Sequence, residues 1–306
     1  VTTEADPNRA RQPGRPFEVD PAEYPFDDHW LEYRDGLIHY VDEGTGPTVL
    51  LLHGNPTWSY LYRDVIKELR GECRMIAPDL PGFGMSRGPS DYGFTPPEHA
   101  DAIAQFVGQL GLGEIVFVVQ DWGGPIGMSL ATADPSKVRG IVLMNTFAWS
   151  ATLAQWAFSV VMGGQPFGRW LQTQRNYFAK TMLPDGIHNK ARVTRALRDA
   201  YLAPFPTPES RVPTWIFPRQ IRGAHRWLAE LESRLDVLSK VPTQIVWGED
   251  DKPGFPRSEM EHWQRRLLNH ETEILADAGH SVQEDRPDRV VAAIRRVIER
   301  SGGAAE

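Results

Sequence analysis

Short, mainly apolar, β-branched runs recur along the chain at TVLLLHG (48–54), RMIAPD (74–79), IVFVVQD (115–121), GIVLMN (140–145), TQIVWGED (243–250) and ETEILAD (271–277). Their hydrophobicity is continuous rather than alternating, which predicts strands covered on both faces. Segments with helical spacing lie between them, at 97–111, 124–134, 257–268 and 286–300. Strand–helix alternation of this kind predicts a mostly parallel sheet with helices on both sides. Ahead of it, HWLEYRDGLIHYVDEG (29–44) reads as an opening antiparallel hairpin with its turn at Asp35-Gly36. The expected sheet therefore has eight strands.

The alternation stops between about 148 and 218. This stretch has no strand-like run, is rich in aromatic and helix-forming residues, and becomes proline-dense at Pro204, Pro206, Pro208, Pro213 and Pro218. It suits a helical cap laid over the carboxyl ends of the strands, where open α/β sheets hold their ligands. The expected order is core (1–147), cap (148–218), core (219–306).

Composition narrows the classes. With 306 residues, 41% hydrophobic and 24% charged, the chain is an ordinary globular sequence, and disorder is excluded. A net charge of −7 without a Lys/Arg run disfavours nucleic acid or an anionic membrane as partner. The single cysteine, Cys73, sits in an apolar context and reads as a buried strand residue; Cys-x-x-Cys metal sites are excluded. The N-terminal twenty residues contain Arg and Pro but no following apolar stretch, so they read as a loose arm rather than a signal peptide. No apolar run reaches membrane-spanning length. The expectation is a soluble, cytoplasmic protein with no metal and no cofactor.

The chemistry concentrates at strand ends. IVFVVQD followed by WGGPIG has the layout of a nucleophile elbow, a sharp strand-to-helix turn, with Asp121 at the place of the usual serine. Val119 stands where a glycine is usual. The plain alternative for Asp121 is a helix N-cap. HGNPTW (53–58) follows the first parallel strand, and its backbone N–H at Asn55, with that of Trp122, would form an oxyanion hole. His280, in ILADAGHSVQED, follows a late strand and stands where a catalytic base is expected. Asp251, in VWGEDDKPGF, has the place of the acid that orients such a histidine. Asp250 reads as its solvated neighbour, and Asn145, at the end of the 140–145 strand, cannot stabilise an imidazolium by charge. A carboxylate nucleophile is suited to displacing a leaving group from saturated carbon, forming an alkyl ester that water then cleaves. The target is a carbon–halogen bond or an epoxide.

Taken together, HGNPTWSYLYR, DLPGFGMS, VVQDWGG, YLAPFP, FPRQI and DAGHSVQE resemble the haloalkane dehalogenases of the α/β-hydrolase fold, from about residue 25 to 298. The resemblance implies that the Trp122 indole and the Asn55 side chain hold the departing halide. It points to the subgroup with an Asp-His-Asp triad, Asp121, His280 and Asp251. It also implies Phe147 and Pro218 as pocket lining, with Trp170 as a further candidate, although cap aromatics such as Trp149, Trp156 and Trp170 are more often helix packing. Implied partners are a small apolar halogenated substrate, water and the halide product. An epoxide hydrolase would need two cap tyrosines, and Tyr177 and Tyr201 are available. A fluoroacetate-type dehalogenase would carry Arg after the nucleophile instead of Trp122. A luciferase-like oxygenase or a non-catalytic receptor on the same fold is the remaining alternative.

Overall fold

The computed structural model describes residues 13–251 and 254–302. Eight strands form one sheet in the order β1-β2-β4-β3-β5-β6-β7-β8. They are β1 (His29–Tyr33), β2 (Gly36–Glu43), β3 (Thr48–Leu52), β4 (Arg74–Pro78), β5 (Ile115–Asp121), β6 (Val138–Thr146), β7 (Thr243–Gly248) and β8 (His270–Leu275). β1 and β2 pair antiparallel, as do β2 and β4; every later pairing is parallel. The central strands explain themselves. All seven residues of β5 are buried, because helices cover both faces and no position has water to face.

The hairpin turn differs by one residue from the expected one. Gly36 pairs with Tyr33, so Arg34 and Asp35 make the turn, and Arg34 adopts φ +55°. Leu37 also bridges to Arg87, which draws Gly36 into the strand. Residues 13–28 of the N-terminal arm pack on the body: Phe17 meets the Trp58 ring edge-on, and Tyr24 shares a 2.6 Å hydrogen bond with Ser59. Residues 1–12 lie outside the described residues. Cys73 is a buried free thiol immediately before β4.

Six core helices surround the sheet: α1 (Arg63–Leu69), α2 (Pro96–Gln109), α3 (Gly123–Ala133), and, after the insert described next, α10 (Arg257–Arg266), α11 (Val282–Asp285) and α12 (Pro287–Gly302). Between β6 and β7 the chain is helical, with α4 (Leu153–Met162), α5 (Phe167–Thr173), a π-turn over Phe178–Met182 leading into α6 (Leu183–Asp185), α7 (Arg195–Leu202), α8 (Val212–Gly223) and α9 (His225–Glu232). Residue 218 falls inside α8, which holds Pro213 in its first turn and Pro218 further along, so the helical insert continues beyond the proline-dense stretch. α9 then packs on α3 and returns the chain to the sheet. Among the described residues no helix is long and apolar enough to cross a membrane.

A buried charged cluster ties the insert to the core. The Arg63 guanidinium on α1 donates to both oxygens of Glu284 on α11, at 2.6 and 2.9 Å. Tyr201 on α7 donates to the same carboxylate at 2.6 Å. Arg63→Met would strand Glu284 in a dry interior, a defect worth about 3–5 kcal/mol. Thermal unfolding should then begin about 10 °C lower. A shift of less than about 2 °C, the change expected from under about 1 kcal/mol, would mean the pair contributes little.

Candidate active site

β5 ends in a turn that the backbone rarely makes. Asp121 has φ +50°, a left-handed conformation unfavourable for a residue with a Cβ, and α3 starts two residues later. The strain lifts the carboxylate out of the strand and toward the loop after β3. That loop comes very close: a Cβ on Gly54 would lie 2.2 Å from Asp121 Oδ1, so only glycine fits there. Val119, where a glycine is usual, is accommodated from the helix side. Gly127 on α3 faces it, and a Cβ there would lie 2.8 Å from the Val119 side chain.

The Asp121 carboxylate is held by two backbone donors. The Asn55 N–H bonds Oδ1 at 2.7 Å, and the Trp122 N–H bonds the same carboxylate. Burial pushes its pKa up, against the pull of His280 and of these two N–H groups. Oδ2 faces His280, whose Nε2 lies 3.8 Å away. His280 follows β8, Asp251 follows β7, and His280 Nδ1 meets Asp251 Oδ2 at 2.9 Å. Burial opposes charging the imidazole, but Asp251 and then Asp121 outweigh it and push His280 up to about 9. Asp250 does not join this group; it meets His188 Nδ1 at 2.9 Å near the surface.

Two supporting residues were not foreseen in these roles. Asn145, at the end of β6, donates to Asp251 Oδ2 at 2.9 Å and clasps the Gly248 backbone through both ends of its amide. It lacks the acid's charge but fixes where the acid sits. Gln120 donates to His280 Nε2 at 2.9 Å and to His280 O at 3.2 Å. In the neutral ring, Nδ1–H therefore points to Asp251 and the Nε2 lone pair to Gln120. Strand alternation would put Gln120 and Asp121 on opposite faces. The left-handed turn at Asp121 breaks that rule, which is why the pattern carried no signal for Gln120.

Asp121, His280 and Asp251 line one cavity of about 730 Å³. Asn55, Trp122, Phe147 and Pro218 all line it, together with Phe158, Phe178 and Ile221 from the helical insert. Trp122 is buried, stacked on Phe217 with centroids 5.1 Å apart and meeting the Phe147 ring edge-on at 4.9 Å. The Asn55 amide is loosely tied, with Nδ2 at 3.5 Å from Thr214 O and Oδ1 buried without a partner. Trp170 is a correction to the pocket expected by resemblance. It borders a separate surface hollow with Gln165 and Arg169 and is half exposed, because α5 turns that side away from the cavity. Trp149 packs inside, stacked on His262 and donating to Glu259, and Trp156 is exposed.

Comparison with known proteins agrees with the fold. The family model for the alpha/beta hydrolase fold matches residues 47–287. The chain is 43% identical over 288 residues to haloalkane dehalogenase 2 of Mycobacterium tuberculosis, covering 94% of this chain and 99% of that one. The chain belongs to the haloalkane dehalogenase family. Within solved structures of that family, DbeA from Bradyrhizobium elkani superposes with a TM-score of 0.83 at 26% identity, over 92% of this chain and all of that one. DatA from Agrobacterium tumefaciens superposes at 0.78 with 26% identity, over 90% of this chain and 97% of that one. A more distant relative, from Shewanella oneidensis, is a cis-3-alkyl-4-alkyloxetan-2-one decarboxylase, 30% identical over 90% of this chain and 89% of that one. In this haloalkane dehalogenase family member the two tyrosines that an epoxide hydrolase would need are not brought together. Tyr177 lines the cavity, whereas Tyr201 is buried against Glu284.

Proposed function

We propose that this protein hydrolyses small apolar haloalkanes to alcohol, halide and proton through a covalent ester on Asp121. The observation that carries the reading is the division of labour within one carboxylate. Oδ1 accepts from the Asn55 N–H, the Trp122 N–H bonds the same carboxylate, and Oδ2 lies 3.8 Å from His280 Nε2. Oδ2 attacks the halogen-bearing carbon from behind, the carbon–halogen bond breaks, and the halide leaves with the bonding pair. The Trp122 indole N–H and the Asn55 amide then hold the halide; both are neutral donors suited to a large, weakly basic anion.

Hydrolysis uses the other half of the arrangement. His280 takes a proton from water, whose oxygen adds to the Asp121 carboxyl carbon. The negative charge that develops on the carboxyl group falls on the two backbone donors already bonded to it. Collapse expels the alkoxide, which takes the proton back from His280; the water's second proton, left on the carboxyl group, then passes through His280 to solvent, and the Asp121 carboxylate is restored. Asp251 stabilises the imidazolium between these transfers, and Asn145 keeps Asp251 in reach. The helical insert from about residue 148 to the end of α8 at Gly223 acts as a cap over the core segments on either side of it, closing the apolar cavity around the substrate.

The relatives named as oxetan-2-one decarboxylases motivate a second reading, in which the same carboxylate acts on a strained four-membered lactone. The identity of 43% against 30% favours the haloalkane. The purified protein should release bromide from 1-bromobutane or 1,2-dibromoethane, and Asn55→Ala should raise KM for these substrates. No halide from a panel of bromoalkanes, with turnover of styrene oxide or carbon dioxide release from a cis-dialkyl oxetan-2-one, would overturn the proposal.

A further inference from the structure

Eight large apolar side chains stand exposed among the described residues, and six of them lie on two consecutive helices of the insert. Leu153, Trp156, Val160 and Val161 belong to α4, and Phe167 and Trp170 to α5. Leu153 is 83% exposed and Phe167 56%, so these are whole side chains facing outward rather than grazed edges. α4 is apolar on its other side as well, where Ala154, Phe158 and Met162 line the cavity. A helix apolar all round belongs inside something, and one side of α4 has no protein to cover it.

Charge says what kind of cover it fits. Residues 148–223 carry ten Lys and Arg against three Asp and Glu, a local +7 inside a chain of −7. From 135 to 184, and again from 210 to 229, there is no acidic residue. Arginines stand beside the exposed rings of this face and beside the buried Trp215 beneath it. Arg222 lies over Trp156 at 5.6 Å, Arg175 over Trp170 at 5.9 Å, and Arg169 and Arg219 over Trp215 at 5.4 and 5.3 Å. The expectation that the net charge disfavours an anionic membrane rests on an average that these helices do not share.

A second copy docked through the same face would set one arginine-rich surface, with Glu209 its bordering acid beside Trp170, against another, which like-charge repulsion opposes. An anionic phospholipid bilayer offers what the face lacks: a negative layer for the guanidinium groups and, a few ångströms deeper, an apolar interior. Indole and phenyl rings settle at that boundary. We propose that the α4–α5 face docks in the headgroup layer of an anionic phospholipid bilayer. In that pose α4 separates the lipid from the cavity, with one side toward each. The docking stands whichever bond the cavity cleaves.

Sedimentation with vesicles tests it. The full chain should pellet with equimolar phosphatidylglycerol and phosphatidylcholine, and not with phosphatidylcholine alone. Binding should fall roughly tenfold between ~0.05 and ~0.5 M salt. The triple variant Trp156→Ser, Val161→Ser, Phe167→Ser should lose vesicle binding while retaining its thermal transition and its turnover of dissolved substrate, since none of the three lines the cavity. Arg219→Glu should weaken binding about tenfold. The proposal fails if the wild type ignores anionic vesicles, binds neutral ones equally, or binds as well after the triple substitution. It also fails if light scattering shows a dimer that the triple variant converts to monomer, with no vesicle binding by either.

Discussion

His280→Phe is expected to release one equivalent of bromide per active site and then stop. Alkylation needs the ionised Asp121 carboxylate and the halide donors, and the imidazole takes no part in the bond change; its loss removes one pull that keeps Asp121 ionised, so the burst is read at alkaline pH. Hydrolysis does depend on the imidazole, because the water that adds to the ester needs a base to take its proton, a contribution of roughly 10²–10⁴-fold. Rapid-quench mass spectrometry should find the alkyl group on the peptide that contains Asp121. Steady turnover by this variant would remove His280 from the role of base. The wild type should show the same separation with pH. His280 is pushed up to about 9 in the free site, partly by the Asp121 charge. Esterification removes that charge, so the imidazole loses its proton more readily in the intermediate than in the free enzyme. Single-turnover ester hydrolysis should therefore have its acid limb below about 9, while the halide burst continues to lower pH until Asp121 itself is protonated. An acid limb shared by burst and hydrolysis would contradict this ordering.

Asp121→Ala should abolish the burst and the turnover together, a loss of about 10⁶ in kcat. No neighbour can substitute for it. Asp251 is held by Asn145 and His280 on the far side of the imidazole, and Gln120 is not a nucleophile. Removing the side chain also leaves the Asn55 N–H without the oxygen it bonds, so the loop after β3 loses one of its anchors. Folding should nonetheless survive, because alanine keeps the same Cβ at φ +50° and removes a carboxylate whose charge is costly to bury. The measurement is halide release in a single turnover, with a thermal melt beside it. A residual burst would show that another group accepts the alkyl chain.

Much of this architecture is legible before any coordinates. The runs at 115–121 and 243–250 are continuous because both sheet faces are covered, and they became β5 and β7 with all positions of the central segments buried. Asp121, Asp251 and His280 could be singled out because each follows such a run, and parallel strands place their carboxyl ends side by side. The hairpin turn slipped by one residue because Leu37 pairs with Arg87, fifty residues on, a contact no local pattern contains. Trp170 was open to two readings for a related reason. Spacing identifies a helix, but which side faces the cavity depends on how that helix packs against its neighbours.

The chain by itself determined the strands, their parallel order at the site and the chemical types of the groups at their ends, since these follow from local hydrophobic periodicity and loop position. Tertiary structure decided which oxygen of Asp121 the Asn55 N–H holds and which faces His280, that Gln120 and Asn145 orient His280 and Asp251, and that α4 is apolar toward both the cavity and the outside. Those depend on distances between segments far apart in sequence, set by packing and by the backbone strain at one residue, and no one-dimensional pattern encodes them.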